Sequence, residues 1–226
     1  MNVIPHYFCI TMKIEIWSDV MCPFCYIGKR HLESALGQIN ATIPIEIEWK
    51  SFQLDPHIPK QSQTTSVIEY LSTSKGISFE QSREMHERVS EMASKAGLKF
   101  EFEHAVVGNS FDAHRLIQLA KSKQCADAME EALFKAYFTD GKDIASPTDL
   151  TAIGFSAGLS EKEIDAVLKS DTFSTAVKKD IEEASQIGVR GVPFFVFDRK
   201  YALSGAQPVE AFVQTIEATL TNVTSI

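Results

Sequence analysis

Lys13-Ile14-Glu15-Ile16-Trp17-Ser18-Asp19-Val20-Met21-Cys22-Pro23-Phe24-Cys25 is the stretch on which the fold turns. From Lys13 to Trp17 polar and apolar residues alternate, the period of a half-buried strand. Beyond Pro23 the spacing becomes helical, with Gly28, Leu32, Ala35, Leu36 and Ile39 on one face. Ile45, Ile47 and Trp49 then alternate with Glu46, Glu48 and Lys50, a second strand. A strand, a helix and a strand in this order predict parallel pairing through a right-handed crossover.

Outward from that unit the pattern changes. Asp55-Pro56-His57-Ile58-Pro59 and the polar run 61–66 read as a linker. The next hundred residues carry helical stripes, among them Leu116, Ile117 and Ala120, then Met129, Leu133, Ala136 and Tyr137. Ser146-Pro147 predicts a cap followed by proline in the first turn, and Ser160 with Glu163 predicts a capping box. The run from Glu80 to Lys99 reads as a solvated helix face. Phe173, Val177, Ile181 and Ala184 form a further stripe that ends at Gly188. Strand signals return in Pro193-Phe194-Phe195-Val196-Phe197 and in Tyr201 and Leu203, with Asp198-Arg199-Lys200 as a hairpin turn. A last helix runs from Pro208 through Phe212 and Ile216. The expected organisation is an N-terminal extension over 1–11, an α/β domain in two pieces, 12–55 and 171–226, and a helical insertion over 56–170.

Cys22-Pro23-Phe24-Cys25 lies between the first strand and the first helix. Such a pair can be half of a zinc site, a buried structural pair or a redox pair. Structural zinc takes four ligands, yet there is no second CxxC, and the six histidines include no H-x3–5-H spacing. Redox use accounts best for the placement. Cys22 falls at the helix N-terminus, where unpaired N–H groups and the positive end of the helix dipole favour a thiolate. Pro23 loses nothing in the first turn, having no N–H to leave unpaired. Cys25, one turn deeper, is close enough to close a disulfide. The expectation is an exposed attacker, Cys22, and a shielded resolver, Cys25. Phe24, in the loop between them, is a candidate substrate contact. Gly191-Val192-Pro193, just before the apolar strand, carries two readings. Pro193 can simply start a strand, or Val192–Pro193 can be a cis bond opposite the cysteines, with the Val192 backbone available to an extended substrate.

Composition narrows the function classes. With 22 basic and 30 acidic residues the chain carries a net charge of −8, the wrong sign for a nucleic-acid backbone binder. No apolar run approaches the ~20 residues of a membrane span. Residues 1–12 lack the basic and apolar regions of a secretory signal, and four cysteines, Cys9, Cys22, Cys25 and Cys125, make no disulfide framework. A cytoplasmic protein is expected. Oligomeric state is not encoded in any of these patterns.

The sequence resembles the FrnE-type branch of the DsbA-like thioredoxin superfamily. The resemblance is carried by Ile14 to Gly28, by Asn109-Ser110-Phe111-Asp112-Ala113-His114-Arg115-Leu116, by Ala136 to Ile144, and by Gly188 to Phe195. It implies an α/β thioredoxin-like fold (β-α-β … α-β-β-α) interrupted by an all-helical insertion. It also implies dithiol–disulfide oxidoreductase or isomerase activity, with Cys22 attacking, Cys25 resolving and Pro193 as the cis-proline. Disulfide-bearing proteins or small thiols would be the substrates. No metal or organic cofactor is implied beyond glutathione as a possible redox co-substrate. Two alternatives stay open. One is a glutathione-dependent isomerase or transferase of the kappa type, whose members lack the intact cysteine pair. The other is a non-catalytic module whose CxxC is a redox-sensitive clasp. His114 is expected to be a satisfied structural group, Asn109 and Ser110 to cap its helix, Phe194, Phe195 and Phe197 to fill core, and Cys125 to be a packed bystander.

Overall fold

The computed structural model describes residues 11–41 and 43–223, so the expectation for segment 1–11, save Thr11, lies outside the described residues, as does Cys9. Strand β1 (Met12–Ser18) leads into α1 (Pro23–Gln38) and β2 (Ile45–Ser51). Six helices follow: α2 (Val67–Lys75), α3 (Phe79–Lys95), α4 (Phe111–Ser122), α5 (Ala126–Phe138), α6 (Pro147–Ser156) and α7 (Glu161–Leu168). The chain closes with α8 (Ser174–Gln186), β3 (Phe194–Phe197), β4 (Tyr201–Ser204) and α9 (Val209–Val223). The sheet order is β2-β1-β3-β4. β1 and β2 are parallel, with Ile14 opposite Ile47. β3 runs antiparallel to β1, Phe195 opposite Ile16, and β4 antiparallel to β3.

Local chemistry explains most of these boundaries. Ser146 accepts from the Asp149 N–H at 3.4 Å ahead of Pro147, and Ser160 with Glu163 forms a capping box on α7. A second capping box, Ser78 with Gln81, starts α3. The three-residue β3–β4 turn puts Asp198 and Arg199 at φ 48° and 55°, left-handed backbone that matches the twist of the flanking strands. Asp198 is fixed there by accepting from Lys13 N at 2.7 Å and donating to Lys13 O at 2.8 Å.

One expectation is corrected. β1 is covered on both faces rather than one. Ile14 and Ile16 pack with Phe195, Phe197, Phe212 and Ile216 in the main core. Trp17 packs with Ala184, Val189 and Val196 on the opposite face, and its indole N–H donates to Asp180 O of α8 at 2.9 Å. Even Glu15 is buried, paired with Arg199. Alternation marks the two faces of a strand, but an ion pair with the half-exposed Arg199 lets Glu15 occupy a covered one.

Candidate active site

α1 begins at the cysteines. Cys22 is its N-cap, with extended backbone (φ −89°, ψ 109°), and Pro23 opens the first turn. The Cys22 N–H bonds to Asp19 O at 2.9 Å and the Cys25 N–H to Cys22 O at 3.0 Å. This tight loop points Cys22 toward the segment ahead of β3. The Cys22 thiol donates to Val192 O at 3.3 Å. The Val192–Pro193 bond is cis, and Pro193 O accepts from Gly205 N at 2.8 Å, so the β3–β4 hairpin anchors this loop.

Gly28 decides how near α1 can come. A Cβ there would lie 3.1 Å from Phe195 Cζ and 3.2 Å from Pro193 Cγ. The glycine therefore lets the helix that carries both cysteines press against the strand that follows Pro193.

The exposed-attacker expectation is corrected. Cys22 is 3% exposed and Cys25 1%; the Val192 loop lies over the first sulfur, a contact between positions 170 apart in the chain. The two thiols remain unequal. Cys22 lines a cavity of about 770 Å³ and Cys25 does not. Burial, and then the hydrogen bond and charge of neighbouring Cys22, push the Cys25 thiol well up from its ordinary range.

The cavity lies between the redox loop and the helices after β2. Cys22, Phe24 and Val192 form one wall, Tyr70 and Leu71 of α2 and Val89 of α3 another. Its volume falls in the range of small-molecule sites. Phe24 is 38% exposed at its edge. The Tyr70 hydroxyl donates to Asp55, and burial together with that carboxylate raises the phenol to about 12. The five predicted site residues thus converge. Cys22, Phe24 and Val192 meet at the cavity, Pro193 stands against α1, and Cys25 lies behind.

Sequence reasoning missed Asp19. Fully buried, it accepts from Met21 N at 3.4 Å and from Leu54 N at 2.7 Å, tying the redox loop to the start of the linker. Its third partner is His114 Nε2, at 3.3 Å. The available signal was a carboxylate placed between a buried strand and an apolar loop. His114 is only half satisfied, because Nδ1 has no partner among the described residues. Of the two expected caps of α4 only Asn109 acts as one. Asn109 Oδ1 accepts from Phe111 N at 2.9 Å, whereas Ser110 makes no side-chain cap bond. Phe195 and Phe197 are buried and Phe194 half-buried, and Cys125 is a half-buried N-cap of α5. Among the described residues no three metal-ligating side chains cluster, and no helix is long and apolar enough to cross a membrane.

Comparison with known proteins gives concordant matches. The DsbA-like thioredoxin domain model matches residues 13–217. The crystal structure of a probable DsbA oxidoreductase from Streptomyces coelicolor is 36% identical, with a TM-score of 0.88 over 93% of this chain and 90% of that one. Bacillus subtilis (strain 168) YwbO is 23% identical over 212 residues, 92% of this chain and 96% of its own length. The cytosolic disulfide reductase DsbM from Pseudomonas aeruginosa shares the fold at 13% identity, with a TM-score of 0.60 over 94% of this chain and 97% of that one.

Proposed function

The chain belongs to the DsbA-like thioredoxin domain family, and from that membership we propose that it is a thiol–disulfide oxidoreductase in which Cys22 attacks and Cys25 resolves. The observation that carries this reading is the Cys22 thiol held 3.3 Å from Val192 O at the edge of the cavity. A substrate disulfide entering there meets the sulfur at the N-terminus of α1. Attack joins Cys22 to one substrate sulfur and expels the other as a thiolate. Cys25 then attacks Cys22, closes the intramolecular disulfide and releases the second substrate thiolate. The high cost of ionising buried Cys25 keeps it a thiol until that moment.

In this reading Phe24 and the Val192–Pro193 loop contact the substrate, a disulfide-bearing protein or a small disulfide. Glutathione serves as redox co-substrate, and thiol exchange requires no metal or organic cofactor. We set the reaction in the cytoplasm, where a dithiol is kept reduced. Retention of both cysteines favours this chemistry over the isomerase or transferase and clasp alternatives. The test is disulfide turnover by two variants. Cys22→Ser should be inactive, and Cys25→Ser should accumulate mixed disulfides through Cys22. Undiminished turnover by Cys22→Ser would overturn the assignment.

A further inference from the structure

Cys22 is 3% exposed, the Val192 loop lies over it, and the open space it borders is the cavity of about 770 Å³. A disulfide reaches that sulfur by entering the cavity, which has room for a whole small molecule. Helix α2 turns one face to it, with Val67, Tyr70, Leu71, Ser74 and Lys75 at helical spacing. Phe24, Leu54 and Met85 also border the cavity, and they are 38%, 49% and 43% exposed. One such side chain needs no reason, but three around one opening mark a place where apolar ligand surface is covered.

The charged groups there do not balance. Asp55 is committed, accepting from the Tyr70 hydroxyl and from His57 N. Among the described residues Lys75, in the last turn of α2, has neither an ion pair nor a hydrogen bond. That position suits the helix dipole, which does not account for a second cation on α3. Arg88 there is 71% exposed, and its ion pair with Glu84 spans 3.5 Å. His86 is engaged through Nδ1 with Ser82 O at 2.8 Å, its ring edge-on to Phe102. The uncommitted charge beside the cavity is therefore positive, in a chain whose net charge is −8. Apolar walls with charges of one sign focus the field and raise the local concentration of the opposite charge.

We propose that the cavity takes a small disulfide with an apolar body and a carboxylate, and that Lys75 and Arg88 select the acid. The proposal rests on the assignment of Cys22 and Cys25 as the exchanging pair and narrows its substrate to this class. The apolar body lies against α2, α3 and Phe24, where a peptide backbone would leave its amides unpaired. In the step, the Cys22 thiolate attacks one sulfur of the bound disulfide, and the other leaves with the electron pair as a thiolate. Cys25 then bonds to Cys22 and displaces the second substrate sulfur. One disulfide is reduced to two thiol acids as the two cysteines are oxidised, and the two cysteine protons end on the released thiols.

In the test, reduced protein is mixed, without added reductant, with para-carboxyphenyl disulfide, its diamide, dithiodiglycolate or insulin, and loss of protein thiols is read by alkylation. Dividing each rate by that of mercaptoethanol with the same disulfide removes intrinsic reactivity. The aromatic acid should then exceed each of the others by about tenfold at low salt, and added salt should narrow its lead over the diamide. In the double variant Lys75→Gln, Arg88→Gln the acid-to-diamide ratio should fall to within about twofold of unity. A diamide as fast as the acid, a ratio unmoved in the double variant, or insulin or dithiodiglycolate outpacing the aromatic acid would overturn the proposal. Should none of the four react faster than with mercaptoethanol, the exchange assignment fails instead. Calorimetry with the unreactive thioether, para-carboxyphenyl sulfide, then decides the cavity by itself. Binding that persists in Cys22→Ser and weakens about tenfold in the double variant supports the proposal; absence of binding overturns it.

Discussion

Cys22 gives its thiol hydrogen to the main-chain carbonyl of Val192, 3.3 Å away. The bond joins the N-cap of α1 to the loop ahead of β3, so the sulfur and the backbone edge that would face a substrate are fixed against each other.

The first expected outcome concerns the unequal thiols. Cys22 borders the cavity, whereas Cys25 lies behind it with its ionisation suppressed by burial. Limited iodoacetamide treatment of the reduced protein should therefore modify Cys22 at least about tenfold faster than Cys25. Peptide mass mapping reads the order, and equal labelling would contradict the geometry.

Phe24 lines the cavity while remaining 38% exposed. Its truncation removes apolar contact area from the substrate but little from the core. Phe24→Ala should raise KM for an apolar disulfide about three- to tenfold and leave stability within about 0.5 kcal/mol. Steady-state kinetics and a melting curve separate the two effects.

Gly28 is the contact point of α1 on β3. An added methyl gains about 1 kcal/mol of helix propensity, but it meets the Phe195 ring and Pro193 at 3.1 and 3.2 Å. Overpacking of that kind costs about 1–3 kcal/mol, and Phe195 is fully buried. Gly28→Ala should thus destabilise by about 1 kcal/mol in denaturant melts and lower disulfide turnover, because the shift is transmitted to Pro193.

Burial, reinforced by Asp127 and opposed by Lys29, raises the Glu130 carboxyl from 4.5 to about 8. The unfolded chain releases this proton from about pH 4.5 upward while the folded chain retains it. The stability it carries is complete below that value and is lost as pH rises through about 8. Glu48 has the opposite sign: lowered to about 2, its contribution is present above 4.5 and lost only as pH falls through 2. Between pH 5 and 8 the falling slope therefore belongs to Glu130. Glu130→Gln should flatten it and be on the order of 4 kcal/mol more stable than wild type at pH 8. Chemical melts across that pH range give the comparison.

Much of the architecture was legible because its causes are local. Alternation at Lys13–Trp17, the helical stripe after Pro23, the Ser146 and Ser160 caps and the Asp198–Arg199 turn each depend on neighbours a few positions away. The CxxC at a helix start and the proline before β3 likewise marked both ends of the site. Less was legible about the coverage of that site. Ser110 carries a capping residue's hydroxyl but sits in helical backbone, so of the two expected caps only Asn109 takes a first-turn bond.

Chain chemistry by itself determined the β-α-β opening, the helical segment and the place of the two thiols, since period, capping and helix polarity are properties of short stretches. Tertiary structure alone decided that Cys22 is covered, that a cavity opens beside it, and that Asp19 is bound to His114. Those contacts span 170 positions for Cys22 with Val192 and 95 for Asp19 with His114. Distances across such separations are set by how closely α1 meets β3 and where α4 enters beneath the loop, which no local pattern encodes.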